Sequence, residues 1–387
     1  MRIYNRGEMN ATEVGTKRAE ITAQYKEFIG RKIIFILSCI TAICIIAAIS
    51  ATLGSYPITV TEVYHIIVHS PFQNIDISHP ITVTELYHTI VHNSFQDFIN
   101  TNEEYVVWKL RLPRIVMGIL AGIGLAVAGT AMQGILRNPL VSPTTIGIAA
   151  GAHLGAAIAF ILGAGFTSGK LILMGNAFLF ALIPAFVIFG LARFKRATPE
   201  MMILAGIAMT FIFSSVSSLL HYFSDPDMLK GLVVWKMGNL GNATWGDLFT
   251  VSLVLAVCIP LLIWKSWDLN TMGAGDEIAK SLGVNVKRTR IFVMMTASLL
   301  TAVVICFTGM ITFVGLVAPH ICRIIIGGDT RFLIPASGLF GAVFLLFSDT
   351  VARTIVAPVI IPVGIVTSCV GGPLFLYLII RKRREYW

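Results

Sequence analysis

The chain has few charged residues for its length. Only 13% of its 387 residues are Asp, Glu, Lys or Arg, whereas 56% are hydrophobic, and the mean hydropathy is +0.81. In soluble globular domains about a quarter of the residues are charged. The composition therefore excludes a water-soluble globule and an intrinsically disordered chain.

Cysteines and catalytic motifs are also scarce. The six cysteines lie in or beside apolar runs without CxxC spacing, which favours small core residues over disulfides or metal sites. The sequence contains no Walker A loop, no HExxH motif, no GxSxG elbow and no pair of carboxylates within an apolar run. We therefore expect no catalytic residue, no cofactor bound by this chain and no ATPase site of its own.

The hydrophobic residues are concentrated in ten runs that are long enough to cross the hydrocarbon core of a bilayer as helices. Strands of a membrane barrel would alternate over about ten residues, and these runs do not alternate. The sequence predicts an all-α, polytopic membrane protein with ten transmembrane helices. The predicted spans are residues 33–54, 113–135, 144–163, 171–192, 201–223, 246–265, 290–308, 311–327, 332–353 and 361–380.

The basic residues indicate how these spans are oriented. With the N-terminus inside, 22 of the 29 lysines and arginines fall on one side of the membrane, and the positive-inside rule assigns that side to the cytoplasm. Both termini are then cytoplasmic in a multi-pass protein of the cell membrane, and the net charge does not indicate nucleic acid. The predicted layout is a cytoplasmic segment at 1–32 and a ten-helix domain at 33–387, with an extracytoplasmic insert at 55–107 and a cytoplasmic loop at 266–290.

The extracytoplasmic insert contains a tandem repeat. Residues 57–74 and 80–97 are identical at 13 of 18 positions, and each copy begins with the Thr and Glu spacing of a helix start. Each copy also holds two histidines four residues apart, which share a helix face as in many metal sites. These candidates are His65, His69, His88 and His92. Because one duplication would copy the pair with the rest of the segment, an amphipathic surface helix is the favoured interpretation, and no metal is predicted.

The cytoplasmic loop predicts a short exposed helix. Asp276 and Glu277 stand at its start, where the helix dipole favours acids, and Gly283 suits a left-handed cap at its end. A short exposed helix between two spans is better suited to contact a protein than to contact lipid.

Several ordered motifs resemble the FecCD-type permeases, the membrane subunits of type II ABC importers for iron-siderophores, haem and cobalamin. The motifs are the run at 108–156 with RLPR and RNPL, then GDEIAKSLGV, TGMITFVGLVAPH, SDTVART and IPVGIV. The resemblance implies a homodimer in the lipid membrane with two cytoplasmic ATPase subunits, which hold ATP and Mg, and an extracytoplasmic substrate-binding protein. It implies that the protein transports a metal chelate by alternating access. The expected chelate is an iron-siderophore, with cobalamin and haem as alternatives.

The resemblance also implies which residues form the functional sites. The family's docking arginines, whose guanidinium groups suit carboxylates of the binding protein, correspond to Arg111, Arg114 and Arg353. The ATPase-coupling residues correspond to Asp276, Glu277, Lys280, Ser281, Leu282, Gly283 and Val284. The cytoplasmic gate corresponds to Asn138, Leu140, Thr198, Pro199 and Glu200. His320 and Arg323 fit a family motif and are assigned to packing.

An ion-coupled secondary transporter is the alternative class. Such a transporter would need an intramembrane acid near the midplane. The clear candidate, Asp349, lies near one end of its span, four residues before Arg353, where the spacing predicts a local ion pair. A haem-binding redox subunit would use the repeated histidines, but these lie outside the predicted spans.

Overall fold

The computed structural model describes residues 11–54, 56, 58–69, 102–165, 170–194 and 198–381, and within these ranges the chain forms helices and turns without a strand. In chain order the helices are α1 (Ala11–Thr52), α2 (Val60–His69), α3 (Leu112–Leu136), α4 (Ile148–Leu162), α5 (Lys170–Phe194), α6 (Pro199–Tyr222), α7 (Pro226–Lys236), α8 (Trp245–Trp264), α9 (Ser266–Gly273), α10 (Asp276–Ser281), α11 (Val286–Thr308), α12 (Val314–Ile326), α13 (Thr330–Thr354) and α14 (Val363–Arg381). A π-helical turn, Val106–Arg111, leads into α3, and a 3-10 turn, Pro143–Ile146, leads into α4.

Seven helices in the described ranges are long and apolar enough to cross a membrane. They lie at Ile29–Thr52, Glu103–Leu136, Leu171–Phe194, Pro199–Tyr222, Trp245–Trp264, Val286–Thr308 and Thr330–Thr354. Three shorter apolar helices coincide with the other predicted spans: Ile148–Leu162, Val314–Ile326 and Val363–Tyr377. The all-α, multi-pass class is confirmed. Ten crossings and cytoplasmic termini stay predictions.

The first helix begins much earlier than its predicted span. Helix α1 has 42 residues, which corresponds to about 63 Å at the rise of an α-helix, roughly twice the hydrocarbon thickness. Its N-terminal half is polar and rich in good helix formers, so helix propensity continues where hydrophobicity stops. Near the junction, Lys32 is buried and its Nζ lies 3.5 Å from Asp329 Oδ2.

Helices α3 and α13 form the centre of the bundle. They run antiparallel, since Arg114 near the start of α3 bonds Asp349 near the end of α13, and Thr130 bonds Ser337 closer to the opposite end. Small residues permit this close approach: a Cβ on Gly122 would lie 2.5 Å from the carbonyl oxygen of residue 341. Glycine-mediated contact of this kind is typical of membrane helices.

Helices α3 and α13 extend between two ends of the bundle. Arg137 lies 23 positions after Arg114, which corresponds to about 35 Å along a helix axis. We call the end that holds Arg114 and Asp349 the Asp349 end. The opposite end, where Arg137 lies beside Asp276, is the Asp276 end. The orientation predicted from the basic residues places the Asp349 end outside the cell and the Asp276 end in the cytoplasm.

Candidate functional site

A buried ion-pair cluster lies at the Asp349 end. Both carboxylate oxygens of Asp349, which is fully buried, accept hydrogen bonds from Arg114, at 2.9 and 3.0 Å from Nε and 2.8 Å from Nη2. Arg353 Nε lies 3.2 Å from Asp349 Oδ2. The predicted local pair of Asp349 with Arg353 is therefore confirmed. The third member, Arg114, comes from 235 residues away in the chain.

Two of the predicted docking arginines hold the end of α1. Arg111 Nη1 donates to the carbonyl oxygen of Ala51 at 2.6 Å, and Nη2 donates to that of Tyr56. Arg353 donates to both the carbonyl oxygen and the hydroxyl of Ser50. The last turn of α1 has no basic residue of its own. These arginines therefore satisfy orphan carbonyls of α1 and oppose the negative end of its dipole.

The same three arginines line a cavity of about 430 Å³ at the Asp349 end. Its described wall also contains Asn239, Asn242 and apolar side chains, and no carboxylate. Arg114 and Arg353 contact the carboxylate of Asp349, whereas Arg111 contacts carbonyl oxygens. Three guanidinium groups and one carboxylate leave two positive charges in excess. This arrangement can attract an anionic group that enters the cavity.

The three predicted docking arginines are buried. Arg111, Arg114 and Arg353 are only 5%, 7% and 5% exposed, respectively, and are engaged within the chain. The sequence could not show this, because their partners on α1 and across the α3–α13 pair are remote in the chain. They form the inner wall of a cavity instead of an exposed rim.

At the Asp276 end, the predicted short helix is confirmed. Helix α10 starts at Asp276, after Gly275 with φ of +125°, and ends before Gly283 with φ of +86°. The Gly283 N–H donates to the carbonyl oxygen of Lys280 at 2.9 Å, and that of Val284 donates to the carbonyl oxygen of Ala279, also at 2.9 Å. Both glycines adopt left-handed backbone that a side chain would disfavour.

Helix α10 presents two different faces. Ala279 is fully buried, whereas Ile278 and Leu282 are 50% and 64% exposed. They lie four residues apart and share one side of the helix. Glu277 and Lys280 form an exposed pair at 2.7 Å, and Ser281 is exposed with its hydroxyl donating to the carbonyl oxygen of residue 278. An exposed apolar pair with charges beside it is typical of a protein-binding surface.

Asp276 faces into the chain and away from this surface. Its carboxylate accepts hydrogen bonds from Arg290, at 2.8 Å from Nη2 and 3.2 Å from Nη1, and lies 3.5 Å from Arg137 Nη2. Burial opposes its ionisation, but hydrogen bonds and charge from Arg290, with the charge of Arg137, lower the pKa of Asp276 below its ordinary value. The family assignment grouped Asp276 with the ATPase-coupling residues. In the fold it differs from the rest of that group, because it binds two arginines of this chain.

The predicted gate residues lie in two segments. In the first, Asn138 Oδ1 accepts from the backbone N–H of Leu140 at 2.9 Å, and Leu140 is 51% exposed. In the second, Thr198 caps α6 by accepting from the backbone N–H of residue 201, Pro199 is buried and Glu200 is exposed.

Arg137 links α10 to the first predicted gate segment. It precedes Asn138 in the chain and, together with Arg290, binds Asp276. Glu200 of the second segment is influenced mainly by Thr198 and its own backbone, and only weakly by the charges of these two arginines.

A second carboxylate cluster at this end was missed by the sequence interpretation. Asp329 accepts from Arg331 Nη2 at 2.6 Å and from Asn270 Nδ2 at 2.9 Å, and lies 3.5 Å from Lys32 Nζ. The hydrogen bonds from Arg331 are the main reason that the pKa of Asp329 is held well below its usual range. The available signal was the Asp-Thr-Arg sequence before a span, which is a helix N-cap pattern. Asp329 joins α1, α9 and α13.

The remaining residues singled out in the sequence are His320, Arg323 and the histidines of the repeat. His320 packs edge-on against Phe375 at 5.5 Å between ring centroids, and Arg323 donates to Gln133 at 3.2 Å in a buried position. His65 is exposed on α2. The side chain of His69, and residues His88 and His92, lie outside the described part of the chain. Within that part, no group of three or more His, Cys, Asp or Glu side chains could hold a metal ion.

Residues 40–381 match the model of the FecCD transport family. The chain is 42% identical to a protein of Methanocaldococcus jannaschii that bears the name of an ABC transporter permease, over 95% of this chain and 99% of that protein. It is 39% identical to the hemin transport system permease protein of Yersinia pestis, over 74% of this chain and 87% of that protein. A solved structure of a metal-chelate type ABC transporter in an inward-facing conformation is similar with a TM-score of 0.74 and 28% identity, covering 90% of this chain and 99% of that one.

Proposed function

This multi-pass protein of the cell membrane belongs to the FecCD transport family, and from that premise we propose that it is the permease subunit of an ATP-driven type II importer for a metal chelate. The match over residues 40–381 carries the proposal, because it includes both ends of the bundle. The chain supplies the membrane pathway, and separate subunits bind and hydrolyse ATP with Mg.

The proposed cargo is an iron-siderophore, with haem and cobalamin as alternatives. A relative that is 39% identical is named a hemin permease, and the similar solved structure is of a metal-chelate transporter. These cargoes share one chemistry, since each is a metal enclosed by a bulky organic ligand. A permease for such a cargo needs a wide pathway, and the binding protein supplies most of the selectivity.

The proposed partners at the Asp276 end are two ATPase subunits, bound by a homodimer of this chain. The exposed pair of Ile278 and Leu282 on α10 supports this assignment. Apolar side chains that enter a partner's groove contribute most of the affinity of such contacts, while the neighbouring charges of Glu277 and Lys280 form a polar rim.

The proposed partner at the Asp349 end is the substrate-binding protein. The cavity lined by Arg111, Arg114 and Arg353 has an excess of positive charge, and two of these side chains donate to neutral carbonyl oxygens. A carboxylate is a stronger acceptor for guanidinium than a carbonyl oxygen. An acidic side chain of the binding protein that enters this cavity would therefore gain affinity and be steered towards it.

Transport proceeds by alternating access between the two ends. ATP binding on the partner subunits displaces α10, and the gate segments open or close in response. A ligand shifts such an equilibrium only by its difference in affinity between the two states. The alternative, ion-coupled transport, would require an acid that exchanges its proton or ion, whereas Asp349 is paired with two arginines.

Reconstitution into liposomes with the candidate ATPase and binding protein tests this function. The expected result is uptake of the ferric siderophore that requires ATP and increases with loaded binding protein. Leu282→Asp should weaken ATPase binding by about tenfold or more, as for a central interface residue. Met228→Asp, a change at an exposed apolar residue on α7, serves as control. Uptake that follows a proton or sodium gradient without any ATPase would establish the alternative.

A further inference from the structure

The short helix α10 has an anchor as well as a partner surface. Ile278 and Leu282 are exposed, whereas the carboxylate of Asp276, in the first turn, contacts two arginines from other elements. Any displacement of α10 must therefore move those arginines or break their ion pairs. Where the arginines are attached determines what part of the chain follows α10.

Arg290 attaches α10 to the end of α3. It lies on α11 and is only 2% exposed. Its Nη1 and Nη2 atoms bind the two oxygens of Asp276, while its Nε donates to the carbonyl oxygen of Ile135 at 3.0 Å. One planar guanidinium thus joins the coupling helix to the last turn of α3. A bidentate pair of this kind fixes the orientation of both partners.

Arg137 attaches α10 to the first gate segment. It is the C-cap of α3 and has a φ of +48°, a left-handed conformation that residues with a side chain rarely adopt. Its Nη2 lies 3.5 Å from Asp276 Oδ1, and the next residue in the chain is Asn138 of the gate. The ion pair therefore lies one residue from the segment that is expected to close the path.

We propose that Asp276 is the positioning residue through which α10 moves the cytoplasmic gate, with Arg290 and Arg137 as its two partners. This inference rests on the proposed function and adds a role that differs from contact with the ATPase. Movement of α10 is passed to the end of α3 through Arg290 and to the gate segment through Arg137. Removing the charge of Asp276 should separate ATP hydrolysis from gate movement.

The test uses the full chain reconstituted with its ATPase subunits in liposomes. A cysteine introduced by Leu140→Cys reports the gate, and its maleimide labelling is quantified by mass spectrometry with and without a non-hydrolysable ATP analogue. Asp276→Asn and Asp276→Glu are compared in this background with Asp225→Asn, a change at an exposed aspartate that follows the C-terminal end of α6. ATPase binding, ATP hydrolysis and uptake per ATP are measured for each variant.

We expect Asp276→Asn to lose about tenfold in uptake per ATP and in the nucleotide-dependent labelling change, a typical size for coupling between linked sites. This loss should exceed any change in ATPase binding or in the rate of ATP hydrolysis. Asp276→Glu should recover most of both. Normal coupling in Asp276→Asn, or a loss of ATPase binding that accounts for its defect, would overturn the inference. If Asp276→Asn does not fold, Arg137→Gln, a change at a partly exposed position, replaces it and should show the same loss. Normal coupling in Arg137→Gln would then overturn the inference. Unvaried chain without ATP-dependent uptake would instead refute the proposed function.

Discussion

Arg114 and Asp349 form a buried bidentate ion pair although 235 residues separate them in the chain. The pair joins α3 to α13 at one end of the bundle, and Arg353 approaches the same carboxylate from within α13. The arginines that resemble family docking residues therefore also hold the bundle together. Under the proposed docking role, stability and docking are linked at this site, and experiments on it need to separate the two.

Asp349→Asn should destabilise the protein strongly. The change leaves Arg114 and Arg353 with buried charges and a neutral partner, and breaking a buried pair in this way costs about 3–5 kcal/mol. Thermal unfolding in detergent measures the effect, with Asp225→Asn as the exposed control. Equal melting temperatures for the two variants would contradict the assignment of Asp349 as the centre of the cluster.

Arg111→Met should weaken both the end of α1 and the attraction of the cavity for anions. Its guanidinium satisfies the carbonyl oxygens of Ala51 and Tyr56, and leaving such groups unsatisfied costs about 1–3 kcal/mol. The loss of one charge should also lower the affinity for the binding protein at low ionic strength and flatten its salt dependence. Lys230→Met, at an exposed lysine on α7, is the matched control. A salt dependence that is unchanged in Arg111→Met would argue that the acidic partner binds elsewhere.

The sequence predicted the features that depend on local signals. Apolar runs of membrane length located the helices because the bilayer sets their length. The acids at 276–277 and Gly283 predicted the start and end of α10, because the signals that begin and end a helix lie within a few residues of its ends. The start of α1 was missed because its first half is helical without being apolar.

The charged contacts could not be predicted in the same way. Arg290 binds the carbonyl oxygen of Ile135 from 155 residues away, and Asn270 binds Asp329 from 59 residues away. A single sequence shows which residues carry charge, but partner choice across such distances is decided by helix packing. For this reason the sequence could not show that Arg290 and Asp276 are partners.

The stability of the Asp276 end should fall at acidic pH through Asp329. Hydrogen bonds from Arg331, with contributions from Asn270 and Lys32, lower the pKa of Asp329 in the folded chain. A lowered folded-state pKa contributes stability that is present above the unfolded value, about 3.9 for Asp, and is lost as the pH falls through the folded value. The difference in melting temperature between the unvaried chain and Asp329→Asn should therefore be constant near pH 7 and shrink below about pH 4. A difference that grows on acidification would have the wrong sign for this explanation.

Deletion of residues 57–79 tests the role of the tandem repeat, which we suggest modifies the rim contacted by the binding protein. The deletion removes one repeat length and joins Tyr56, which lines the arginine cavity, directly to the second copy. In the first copy Ile58, Val63 and Ile66 are buried against neighbouring elements. In the deletion variant, the residues at the corresponding positions of the remaining copy are Ile81, Leu86 and Thr89.

The replacement of Ile66 by Thr89 predicts a specific effect of the deletion on stability. Because Thr89 would stand where Ile66 is only 7% exposed, the deletion variant should be less stable by about 1–3 kcal/mol, the penalty for a buried hydroxyl that has no partner. Adding Thr89→Ile to the deletion should restore most of that stability. The affinity for the binding protein should fall in both deletion variants, since each has only one of the two copies. If docking affinity and uptake are unchanged in both, the repeat does not modify the rim, and the duplication has no part in recognition.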